Sequence, residues 1–245
     1  MSTSPSASAG FDSFVIRGTP TINVSGATTE FLITASGQKA GLGSSDIDGT
    51  TLGDITALSI NRLDDETRFA SGSGPAVAPY LNFWITDGTN YAVVANEPSN
   101  PAFQPLYNNG YNLSFADLAD KTAKVYENSD MSWLPNNGVG LTFADLAGFM
   151  IKAPTIAELT AGWAGLGTGA PRELGTNVAY GVNWVFGDSL SNYVSGDPGY
   201  LVGNTLSLAS SASAVPEPAS VALWGLGLLG MVVAARRRRQ ATTTV

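Results

Sequence analysis

The chain has 245 residues, 13% charged and 44% hydrophobic, with 20 acidic against 12 basic side chains and a formal net charge of −8. It has no cysteine and no histidine, which excludes disulfides, thiolate chemistry, Ser-His-Asp and Cys-His catalysis and the usual zinc ligand sets. Four of the basic residues are the arginines at 236–239, so the rest of the chain carries 8 cations against 20 carboxylates, about −12, and a nucleic-acid partner is not expected.

Residues 1–10 form a Ser/Ala-rich leader in which Ala7-Ser8-Ala9 has the small-x-small form that ends a signal peptide. Residues 11–209 are long enough for one domain with a substantial core, and no internal linker forces a second. Strands are predicted at Phe14 to Arg17, Glu30 to Ala35, Ile55 to Arg62, Tyr80 to Thr86, Tyr91 to Ala95, Val178 to Phe186 and Tyr200 to Leu208. The clearest is Val178, Tyr180, Val182, Trp184 and Phe186, which alternate with Ala179, Gly181, Asn183 and Val185 and give one large apolar face. Asp87-Gly88 between two apolar runs makes residues 80–95 the strongest hairpin signal, and Asp48-Gly49, Asn109-Gly110, Asn137-Gly138 and Asp197-Pro198-Gly199 mark further turns. Many short strands with such turns predict a mainly β fold, an antiparallel β-sandwich of jelly-roll or lectin-like type.

The middle of the chain departs from this pattern. LSFADLAD at 113–120 recurs as LTFADLAG at 141–148, and a related PTIAEL follows at 154–159. Each places Ser114, Thr142 or Thr155 at a helix N-cap with Asp117, Asp145 or Glu158 three residues on, the capping-box spacing. Two or three short helices inserted in the β fold are therefore expected. Two full copies are too few for a solenoid.

Candidates for chemistry are sparse. Asp64, Asp65 and Glu66, followed by Arg68, are the densest acidic group and read as a solvated turn at a strand end, although paired carboxylates are what a glycosidase would need. Asp46-Ile47-Asp48-Gly49 and Asp54 suggest calcium, but the glycine falls fourth in the run and no glutamate stands at the twelfth position, so the EF-hand pattern fails. A loop calcium site is kept as the alternative to a plain turn, and no other cofactor is expected. Trp133 and Trp163 flank the helical segments and are candidate platforms for sugar rings, against the plainer reading of core packing. The glycine-rich residues 162–169 follow no strand and carry no P-loop lysine, so they are not read as a phosphate site.

The C-terminal segment carries the most specific signal. Residues 210–218 are a linker ending in Val215, Pro216, Glu217 and Pro218, and residues 219–235 lack any charged side chain. As a helix those 17 residues span about 25 Å, near the lower end for crossing a bilayer. Arg236, Arg237, Arg238 and Arg239 follow at once and predict a cytoplasmic tail at 236–245, with the body on the far side of the membrane. The prolines put the helix start after Pro218.

The order of these three parts, Val215 to Pro218, then an apolar helix, then Arg236 to Arg239, resembles the sorting signal of bacterial PEP-CTERM proteins. The resemblance covers about an eighth of the chain. It implies export through the inner membrane, recognition by an exosortase, transient anchoring, removal of the tail near the Pro-Glu-Pro motif, and delivery to the cell surface or medium of an exopolysaccharide-producing, biofilm-forming bacterium. Proteins of this kind begin with a cleavable signal peptide, so the leader is expected to be its remnant, with the true start upstream of Met1. The function expected is that of a non-enzymatic structural or adhesive component of the envelope or biofilm matrix. A carbohydrate-binding module for exopolysaccharide and, more remotely, a carboxylate-dependent glycosidase are the alternatives.

Overall fold

A computed structural model describes residues 10–64, 77–107, 112–126, 131–155, 180–188 and 199–211. The chain divides after Ser211, and all the described residues lie in the first unit. Twelve strands are seen among them: β1 (Asp12–Arg17), β2 (Thr21–Ser25), β3 (Thr28–Leu32), β4 (Lys39–Ser44), β5 (Ile55–Arg62), β6 (Tyr80–Thr86), β7 (Tyr91–Ala95), β8 (Asn112–Leu113), β9 (Lys124–Tyr126), β10 (Met150–Ile151), β11 (Val182–Phe186) and β12 (Tyr200–Ser210). Two one-turn α-helices, α1 (Gln104–Tyr107) and α2 (Phe115–Leu118), and a few 3-10 turns complete the elements.

The fold is mainly β, built on two antiparallel sheets. One runs β1-β4-β11-β6-β7-β9, with β10 added alongside β6, and the other runs β2-β3-β12-β5-β8. Their apolar side chains enter a common cluster: Phe31, Leu58, Ile60, Tyr200 and Val202 from the second sheet, Leu42, Phe83, Val94, Trp184 and Phe186 from the first. Phe31 stacks on Phe186 with ring centroids 4.2 Å apart and planes 10° from parallel, and Tyr200 meets Phe186 at 5.4 Å.

The first sheet is buried on both faces, which alternation along β11 did not predict. Every residue of β6, β7 and β11 is buried. Alternate positions point to opposite faces, and the face away from Phe31 carries a second cluster of Phe14, Ile16, Tyr80, Trp84, Tyr91, Val93 and Val185. Gly41 and Gly43 of β4 make room on that face. A Cβ on Gly41 would lie 2.9 Å from the Phe14 ring, and one on Gly43 would lie 2.3 Å from the Tyr180 ring.

The two FADL repeats form similar but unequal turns. In the first, α2, the Ser114 N–H donates to Asp117 Oδ2 at 2.7 Å and the Ser114 hydroxyl reaches the same oxygen at 3.0 Å. In the second, Thr142 N–H and Oγ1 donate to Asp145 Oδ2 at 2.8 and 2.7 Å, but the turn is a 3-10 helix, Ala144–Leu146. The second copy also bonds to the first and to the residues that follow it, Ala144 N to Ala119 O at 2.8 Å, Phe143 N to Lys121 O at 3.0 Å and Ala123 N to Leu141 O at 2.9 Å. The leucines at 113, 118, 141 and 146 are all buried, so the repeat is a device for turning the chain while seating two leucines in the core. The third turn at 154–159 lies mostly outside the described residues, as does the apolar segment 219–235; among the described residues no helix is long and apolar enough to cross a membrane.

Candidate functional site

Many of the sequence-predicted site residues lie outside the described part of the chain. Val215, Pro216, Glu217, Pro218, Arg236, Arg237, Arg238 and Arg239 lie outside the described residues, as do Trp163, Asp65, Glu66 and Arg68. Trp133 is described and is partly buried against the main cluster. It meets Phe149 edge-on at 5.4 Å and 88°, and its indole nitrogen is buried without a hydrogen-bond partner. That ring is held mainly by packing.

The carboxylates of residues 46–54 are each hydrogen-bonded by protein groups. Asp46 Oδ2 accepts the Gly10 N–H at 2.7 Å, and Asp54 Oδ2 accepts the Thr51 hydroxyl at 2.8 Å. Asp48 is exposed as a residue, yet its Oδ1 sits where a Cβ on Gly181 would be, 2.0 Å away from that position. Partial desolvation pushes its carboxyl up to about 6, with Asp46 adding to the rise and hydrogen bonds from Ser45 and the Ala153 backbone opposing it. Among the described residues no three acidic side chains converge as a metal site.

Asp64 is not in a solvated turn. Its side chain is 6% exposed and that of Arg62 is 0% exposed; the two form an ion pair at 2.8 Å, and Asp64 Oδ2 also accepts the Leu201 N–H at 3.1 Å. Burial raises the Asp64 carboxyl above its ordinary value, opposed by Arg62. The pair ties the end of β5 to β12. Its sequence signal is the i, i+2 spacing of Arg62 and Asp64, which carries no hint of burial by itself.

A second polar group was not foreseen. Lys39 of β4 donates to Tyr80 Oη at 2.7 Å and lies 3.7 Å from Asp188. Desolvation lowers the Lys39 pKa against the pull of Asp188, and burial raises that of Tyr80 well above the usual phenol. Beside them Arg17 Nε donates to Gly37 O. Further along the same face Asn183 stands opposite Asn82 in the ladder, with Asn183 Nδ2 donating to Tyr180 O at 2.8 Å. The Oδ1 atoms of both asparagines are buried without a partner. These groups fasten strands β4, β6 and β11; they place no activated nucleophile beside a general base.

Residues 214–239 match the PEP-CTERM protein-sorting motif. The match spans the Pro-Glu-Pro segment and the four arginines. It implies an exported protein recognised by an exosortase-type processing enzyme and sorted by way of the membrane toward the cell surface. Comparison with curated proteins and with solved structures returns no match.

Proposed function

Since the chain carries a PEP-CTERM sorting motif at residues 214–239, we propose that it is a surface or biofilm-matrix protein whose body acts structurally or adhesively and not as an enzyme. In this reading residues 219–235 are a transient membrane helix with Arg236 to Arg239 on the cytoplasmic side, and cutting near Pro216 releases the body. The body is a β-sandwich: residues of both sheets sharing one cluster and the Phe31–Phe186 stack support face-to-face packing. The single observation that carries the functional reading is the sorting motif. The composition of the body agrees with it, because a chain without histidine or cysteine and with charge about −12 outside the tail suits a soluble, surface-exposed scaffold.

The test is a pair of tail variants expressed in a producing strain. Glu217→Ala is expected to leave the uncut protein in the inner membrane, and replacing Arg236 to Arg239 with glutamine is expected to lower correct insertion. Normal release of a shortened body from both variants would refute the reading.

A further inference from the structure

The second face of the first sheet is sealed, although its own strands cannot seal it. Trp84, Val93 and Val185 are 0% exposed, and Tyr80, Tyr91, Asn82 and Asn183 on the same face are buried with them. A single layer of strands leaves its outward side chains in water unless another layer lies over them. Among the described residues, the members of this cluster from outside the strands are Ala153 and Tyr180. An alanine and a tyrosine do not cover an indole and two phenol rings.

Ala153 and Tyr180 stand at the two ends of one stretch of chain. The Lys152 N–H donates to Trp84 O at 3.1 Å, and the Trp84 N–H donates to Gly181 O at 2.9 Å. Both backbone groups of a strand residue face the same neighbour, so the chain leaves the sheet and rejoins it at one point, beside Trp84. Residues 156–179 lie between and have to be placed over a face or beyond an edge. The opposite face is taken by the second sheet. The other undescribed stretches of the first unit are 12 residues or fewer, and residues 212–245 belong to the second unit.

The chemistry of the stretch matches the face. It carries Ile156, Leu159, Trp163, Leu166, Leu174 and Val178 against three charges, Glu158, Arg172 and Glu173. The face also holds two unmet polar groups, the buried Oδ1 atoms of Asn82 and Asn183. Buried acceptors call for donors, and a backbone with glycine at 162, 165, 167 and 169 can bring its N–H groups close.

We propose that residues 156–179 are the occupant of this face, laid over Trp84, Val93 and Val185 as a third layer of the body. The proposal is independent of the sorting motif and of any adhesive role.

The test uses the full-length chain in detergent and exploits its lack of cysteine. Val93→Cys and Val185→Cys are each combined with Leu159→Cys, Leu166→Cys or Leu174→Cys and mildly oxidised. Leu58→Cys, in the second sheet, replaces the face position as control. Disulfides close only where Cβ atoms come within about 3.5–4.5 Å. At least one face pair is expected to give a monomer about 2 Da lighter, the two hydrogens of the thiols being lost, with little from the control. No capture from any face pair, or capture equal to that of the control, would overturn the proposal. Disulfide-linked dimers in place of the bridged monomer would overturn it too, by making a second copy the occupant. Hydroxyl-radical footprinting of the unaltered chain decides the matter if the variants do not fold. Trp163 and Leu166 are expected to react roughly tenfold more slowly than in the urea-unfolded chain, and no protection at either residue would overturn the proposal.

Discussion

Removing the Phe186 ring tests the packing of the two sheets most sharply. Phe186 and Phe31 are both fully buried, one from each sheet, and their rings stack at 4.2 Å and 10°. Truncating a buried phenylalanine costs about 3–5 kcal/mol through lost transfer energy and an unfilled cavity. Either single change to alanine should therefore remove a large share of a stability of order 5–15 kcal/mol. The stack itself is worth about 0.5–1.5 kcal/mol beyond area, so the double variant should be less destabilised than the sum of the singles by that amount. The assay is urea unfolding followed by the fluorescence of the buried Trp84 and Trp184. Losses below about 1 kcal/mol in each single variant, or strict additivity in the cycle, would refute the claim that these rings join the sheets.

Three further outcomes follow from local geometry. Gly43→Ala should destabilise because its Cβ would lie 2.3 Å from the Tyr180 ring, and Tyr180→Ala should relieve most of that loss in a thermal-unfolding comparison. Asp117→Ala removes the acceptor of the Ser114 N–H and hydroxyl and should cost about 1 kcal/mol by denaturant titration. Burial raises the Asp48 carboxyl from its ordinary value of 3.8 to about 6, so the folded state binds more protons and this group makes stability fall as pH rises between those values. Asp48→Asn should flatten that limb in unfolding curves measured across the same window, by an amount moderated by the residue's exposure.

What could be read from the sequence depended on whether the cause was local. Ile55–Arg62, Tyr80–Thr86 and Tyr91–Ala95 are strands with the bounds read from their apolar runs, and Asp87-Gly88 marked the turn between the last two. The capping pairs at Ser114 and Thr142 were legible because a cap is defined by spacing. β4 was not: KAGLGS looks like a loop, and its glycines are explained by the Phe14 and Tyr180 rings that lie over them. β2 was missed because its polar, exposed residues carry no periodic apolar signal. The strand predicted over Glu30 to Ala35 runs instead Thr28–Leu32, and that predicted from Val178 begins at Val182 within the described residues. The burial of Asp64 depends on Arg62 and on the Leu201 N–H across the sheet, contacts that no local pattern announces. The sorting segment is a linear motif, and the match at residues 214–239 covers the Pro-Glu-Pro and arginine positions read from the sequence.

The central claim concerns both ends of the chain's life, its export and its cutting, and the intact mass of the native protein from fractionated cells tests it most directly. The surface or medium fraction is expected to contain a body that ends near Pro216 and lacks Arg236 to Arg239. A full-length chain retaining the four arginines, found in the inner membrane alone, would contradict it.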